Sequence, residues 1–99
     1  MAEVRYTTDA RNDLESIVDS LASYSPNYAL SFIDRLEAAA ESLQQFPLLG
    51  RLVPEFEEES LREVIIDSYR VVYRIRGQVI QTVGLAHGSQ RIERFLEDR

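Results

Sequence analysis

The chain has no cysteine, no lysine and no tryptophan, and it carries one methionine and a single histidine, His87. Without cysteine there is neither a disulfide framework nor a thiolate metal site, and one histidine cannot build a multi-histidine centre, so no metal and no cofactor are expected. The absence of lysine removes lysine general-acid or general-base chemistry. No apolar run approaches the roughly 18 residues needed to cross a bilayer. The opening Met1-Ala2-Glu3-Val4-Arg5-Tyr6 lacks the apolar core of a secretion signal, so a cytoplasmic address without a membrane partner is the default expectation. Its 99 residues leave room for one small domain, residues 1–99, near the lower end of sizes that bury an independent core.

All eleven basic residues are arginine, against 17 Asp plus Glu, for a net charge of −6. The imbalance is uneven. Residues 1–60 hold four Arg and twelve acids, whereas residues 61–99 hold seven Arg and five acids. An acidic protein is poorly steered towards bulk nucleic acid, because phosphate binding is dominated by Lys and Arg. A local arginine face still binds an anionic partner, since fields are screened within roughly 10 Å at moderate salt. Genomic base composition produces an all-arginine set with no selection on chemistry; its physical consequence is a set of always-charged, bidentate donors.

Alternation over residues 2–6 predicts a short first strand. Thr7 or Thr8 then caps a helix with Asp9 in its first turn and Ala10, Leu14, Ile17, Val18 and Leu21 at helical spacing, ending near Tyr24. Ser25-Pro26 restarts a second helix that runs to about Phe46, with Ala29, Phe32, Ile33, Leu36, Ala40 and Leu43 on one stripe. Two amphipathic helices with so short a link form an antiparallel hairpin that needs an apolar surface to cover it. Residues 46–54 read as a turn-rich crossover and 55–60 as an acidic loop containing Phe56. Residues 61–66, 69–76 and 78–86 read as an antiparallel meander with turns at Asp67-Ser68 and Gly77, and 89–98 as a short closing helix. The expected fold is α+β: a strand, a helical hairpin packed on a mainly antiparallel sheet in the order β-α-α-β-β-β, and a short C-terminal helix.

Within this frame the segment Leu61 to Arg76 stands out, because arginines interrupt runs of β-branched and aromatic residues. Arg70 and Arg74 point to one side of their strand, and Tyr69, Val71, Tyr73 and Ile75 to the other. One reading makes this a face built to meet a partner; the other makes it the solvated back of a sheet, its arginines pairing with acids such as Glu63. Arg74 and Arg76 fit the second reading better. His87 ends the last strand, where an imidazole serves either for proton exchange or as a ring merely held by hydrogen bonds. Arg51 is read mainly as a loop clamp beside Glu55, Glu57 and Glu58.

The order of elements, with Asp13-Leu14, Pro47-Leu48-Leu49-Gly50-Arg51, Leu61-Arg62-Glu63, Tyr69-Arg70-Val71-Val72-Tyr73 and His87-Gly88 followed by Arg91, resembles the RelE/ParE family of bacterial toxins. The resemblance covers nearly the whole chain. It implies the toxin of a type II toxin-antitoxin, or plasmid stabilisation, system, neutralised by a cognate antitoxin that wraps the hairpin and the sheet at Leu21, Tyr28, Phe32 and Arg51. One branch of that family cleaves messenger RNA on the ribosome; the other poisons DNA gyrase by contact. The lack of lysine in the second helix and crossover, the acidic charge, and the Leu-Arg-Glu and His-Gly features are more similar to the gyrase-directed branch, with Arg62, Arg70, His87 and Arg91 as target-binding residues. The ribonuclease alternative would use His87 as acid, Arg70 as phosphate clamp and Glu55 as base. A third reading is a non-toxic remnant that only binds an antitoxin. Enzymatic activity, and pairing of toxin copies with one another or only through antitoxin, stay open at this stage.

Overall fold

Ser25 ends one helix and begins the next. Its N–H closes α1 (Thr8–Tyr24) on the Leu21 carbonyl at 3.0 Å, while its hydroxyl accepts from the Tyr28 N–H at 3.3 Å to cap α2 (Pro26–Gln45). The extended backbone of Ser25 and the proline after it reverse the chain within one residue, so the hairpin is tight. At the front of α1, Thr7 accepts from the Ala10 N–H (3.0 Å) and Asp9 lies in the first turn.

The computed structural model describes residues 1–99. The remaining elements are β1 (Glu3–Tyr6), β2 (Arg51–Leu52), β3 (Leu61–Ile66), β4 (Tyr69–Arg76), β5 (Val79–His87) and α3 (Ile92–Phe95). They form one five-stranded sheet in the order β1-β5-β4-β3-β2; β1 joins β5 in parallel and every other pairing is antiparallel. The expected order is therefore present with one addition. Arg51-Leu52, read as part of the crossover, pairs with Glu63 and Arg62 as a two-residue edge strand. The closing helix is shorter than the expected 89–98, its regular turn covering only Ile92–Phe95. Asp67 and Gly77 supply the positive φ values, 54° and 58°, at the two tight turns of the meander.

The helical hairpin covers one sheet face. Ala10, Ile17, Phe32 and Leu36 pack there against Ile66, Val71 and Leu85, and Phe32 meets Tyr69 edge to face at 5.5 Å. Burying each of the larger aliphatic or aromatic side chains there contributes about 1.5–3 kcal/mol. On the other face a second cluster, Leu61, Val72, Val83 and Ala86, is covered by Val53 and Phe56 from the loop after β2 and by Ile92 from α3. A bulge where Tyr73 pairs with Thr82 while Val72 pairs with Gly84 leaves Val83 extra on β5, where it adds to this second cluster.

Tyr73 ties the crossover to the sheet. Its ring is fully buried, and its hydroxyl donates to the Pro47 carbonyl (2.8 Å) and accepts from the Gly50 N–H (3.0 Å). Gly50 is needed for that approach: a Cβ there would lie 2.5 Å from the Tyr73 hydroxyl and 2.7 Å from the Glu63 carbonyl oxygen. Burial pushes the Tyr73 pKa up from its usual value. Replacing Tyr73 by Phe leaves both crossover groups without a partner and is expected to cost about 1–3 kcal/mol. Urea unfolding checks this as a lower midpoint with an unchanged slope.

Candidate functional site

Strand parity decides which arginines meet. β3 and β4 pair Arg62 with Tyr73 and Ile65 with Arg70, so even-numbered residues of one strand share a face with odd-numbered residues of the other. Arg70 consequently lies with Glu63 and Ile65 on the face away from the hairpin, and Arg62 lies on the hairpin side with Tyr73. Arg62 and Arg70, expected together as target-binding residues, therefore stand on opposite faces of the sheet. Arg62 is spent on the backbone, donating to the carbonyls of Glu59 (3.0 Å) and Gly50 (3.1 Å).

Arg70 sits in a four-residue charge cluster. Its Nε and Nη2 donate to Glu63 at 2.6 and 3.1 Å, and its Nη1 and Nη2 donate to Glu55 at 3.0 and 2.8 Å. Glu63, with no side-chain exposure, also receives Arg51 Nε at 2.7 Å. Arg51 is thus a clamp, as expected, but its carboxylate is Glu63 in the sheet and not the acidic loop. Glu55, then Glu63, raise the Arg70 pKa further above its ordinary value, so the guanidinium stays charged at any pH the fold survives. The Arg70 hydrogen bonds hold the Glu55 carboxyl below its usual range. Beside the cluster a hollow of about 380 Å³ opens between Arg51, Pro54, Glu55, Ile65, Asp67, Ser68, Tyr69, Arg70 and Gly88.

His87 is elsewhere. It pairs with Tyr69 across β4 and β5, so both face the hairpin side, and its ring stands edge-on to Tyr69 at 5.5 Å with Nδ1 bonded to Ser89 at 2.8 Å. It borders a separate hollow of about 190 Å³ with Asp13, Ser16 and Gln90. Of the trio Arg70, Glu55 and His87, the structure brings the first two together and leaves the third across the sheet. Arg91 is exposed just before α3, without a side-chain partner.

Among the residues expected to meet an antitoxin, Tyr28 is exposed and Leu21 half-buried on the hairpin, while Phe32 is fully buried. Phe32 is a core residue with no surface to offer, because it fills the space between hairpin and Tyr69. Tyr24 and Leu30 are further exposed apolar residues of the hairpin, and Phe46, Leu48 and Leu49 form an exposed apolar tip around a hollow of about 450 Å³. The sequence reading missed the pair between Arg99 and Asp13, which also accepts the Leu85 N–H at 3.1 Å, and the stacking of Arg99 on Phe95 at 4.1 Å. Asp13-Leu14 was noticed only as part of a motif; nothing in its spacing reveals a partner 86 residues away.

A strand, a tight helical hairpin, a five-stranded mixed sheet and a short closing helix make this an α+β domain. The sequence matches the family described as ParE toxin of type II toxin-antitoxin system, parDE, over residues 4–92, and the chain belongs to it. It is similar to Toxin RelE2 of Caulobacter vibrioides, with 33% identity over 91 residues, covering 91% of this chain and 99% of that protein. Its fold matches a toxin-antitoxin structure titled Chromosomal ParDE TA system from P. aeruginosa with a TM-score of 0.70 at 23% identity, over 88% of this chain and 96% of that one. Membership implies a cognate antitoxin. No helix is long and apolar enough to cross a membrane.

Two outcomes check the cluster. Arg70→Met leaves Glu63 buried with Arg51 alone and is expected to lose roughly 3–5 kcal/mol in chemical denaturation. Glu55 has a folded-state pKa below its ordinary 4.5, so its contribution is complete above that value and is lost as pH falls through the lowered one. Wild type should therefore be more stable than Glu55→Gln at pH 7, and the difference should vanish once the medium is acid enough to protonate Glu55 in the fold.

Proposed function

We propose that this chain is a toxin that inhibits DNA gyrase by protein contact and is neutralised by its antitoxin along the hairpin surface at Leu21 and Tyr28. One observation carries the reading: the guanidinium best placed to clamp a phosphate, Arg70, is filled on both edges by carboxylates. Cleavage of RNA needs an acid or base and a charge-stabilising donor converging on one phosphate. Here His87 projects from the opposite sheet face, and Glu55 is engaged by Arg70. The net charge of −6 further opposes docking on an RNA backbone. A protein target needs no such convergence. Exposed Arg91 and the rim residues Arg51 and Ile65 serve as contacts in this reading, with exposed His87 presented from the other face.

Induced expression with and without the neighbouring open reading frame tests the proposal. Gyrase-dependent chromosome breaks with intact transcripts are expected, together with loss of supercoiling activity by purified gyrase. Cleaved messages with unbroken DNA would establish the ribonuclease reading instead, and unimpaired growth the remnant. His87→Gln should leave toxicity within about twofold of wild type, since no step of a contact mechanism needs its proton. Tyr28→Ala should weaken antitoxin binding about tenfold or more, as expected for an exposed aromatic anchor, read by calorimetry.

A further inference from the structure

The loop between β2 and β3 runs along the face away from the hairpin. Val53 is fully buried there, Phe56 packs on the same cluster, and the Phe56 N–H turns back onto the Val53 carbonyl at 3.0 Å. From this anchored segment Glu55 reaches Arg70, and Glu58 approaches Arg74 at 3.9 Å. The two edges of the Arg70 guanidinium are held differently. Glu63 grips the inner edge from within the sheet and has no exposed side-chain surface, whereas Glu55 grips the outer edge from a loop and is 31% exposed. Glu63 cannot leave without disrupting the sheet. Glu55 can, by rotation of its own part-exposed side chain while Val53 and Phe56 stay in place, and both Glu55 and Arg70 line the 380 Å³ hollow.

We infer that the outer edge of Arg70 is a carboxylate-binding position for an acidic residue on an apolar segment of a protein partner, with Glu55 occupying it as a built-in competitor. Exchange of one carboxylate for another keeps Arg70 paired throughout, so no buried charge is ever left alone. Half-exposed Ile65 and Pro54 border the hollow and offer apolar contact to residues flanking the incoming acid. A nucleic-acid strand fits poorly. Its successive phosphates would lie within about 8 Å, one screening length at physiological salt, of the run Glu55, Glu57, Glu58 and Glu59. The site is independent of the gyrase reading, because its ligand is defined by chemistry and its occupancy is measured without any target enzyme.

The full chain, labelled with nitrogen-15, is titrated with the peptide acetyl-Leu-Glu-Leu-amide while the Arg70 Nε–H resonance is followed. Removing the competitor in Glu55→Gln should tighten the apparent affinity at least about fivefold over wild type, as expected when the binding-competent fraction rises. Acetyl-Leu-Gln-Leu-amide should show no such gain, and neither should hexauridylate. Equal affinity of the glutamate peptide for both proteins, a gain shared by the glutamine peptide, or a gain for hexauridylate would each overturn the inference. Glu55→Asp, whose shorter side chain keeps the loop charge but spans the outer edge less well, should shift affinity in the same direction and provides the comparison if the glutamine variant does not fold.

Discussion

A single carboxylate with no access to water organises the outer face of this protein. Glu63 on β3 lies between Arg51 on the edge strand β2 and Arg70 on β4, and it is the carboxylate that both arginines share. Burying an ion is costly unless its partners satisfy it fully, and Glu63 is satisfied from two sides. The two-residue β2 is best understood in these terms. Two backbone rungs would hardly define a strand, but the Arg51 side chain adds a charge-assisted bond to the same neighbour that its backbone pairs with. Register, edge and charge cluster thus depend on one another.

The two sheet faces have been given different tasks by the alternation of side chains. The hairpin face is closed with apolar groups from both helices, while the outer face is closed half by apolar residues and half by ions. Short covering elements explain the difference. A loop and one helical turn bury less than two long helices, and the remaining area is occupied by groups that satisfy one another. The Arg35 to Asp67 pair, at 2.6 Å, and the Arg99 to Asp13 pair hold the hairpin to the β3–β4 turn and to the chain's last residues. Both are partly exposed, so their value lies in orientation more than in energy.

Most of the architecture was legible because it rests on local signals. Thr7, Ser25-Pro26, Asp67-Ser68 and Gly77 mark ends and turns through backbone chemistry that needs no partner, and helical periodicity identified both stripes. The charge cluster was legible only in part. Alternation along one strand correctly separated Arg70 from Tyr69 and Tyr73, but relating Arg62 or His87 to Arg70 requires the pairing register between strands. A shift of one residue reverses the answer. The same ignorance of register hid β2 and directed Arg51 to the neighbouring acidic loop instead of Glu63. Phe32, assigned to the antitoxin surface through the resemblance, lies in the core: periodicity shows which helix face is apolar, not how much of it the sheet already covers.

The Tyr73 tether has one further implication, for the tip that carries Phe46, Leu48 and Leu49. A crossover of that length would ordinarily sample many shapes, and any molecule settling on it would have to freeze them. With Pro47 and Gly50 fastened to a buried phenol, the apolar side chains are held out on a stiff platform. Covering them forfeits little chain freedom, so even a modest apolar contact there retains most of its binding strength.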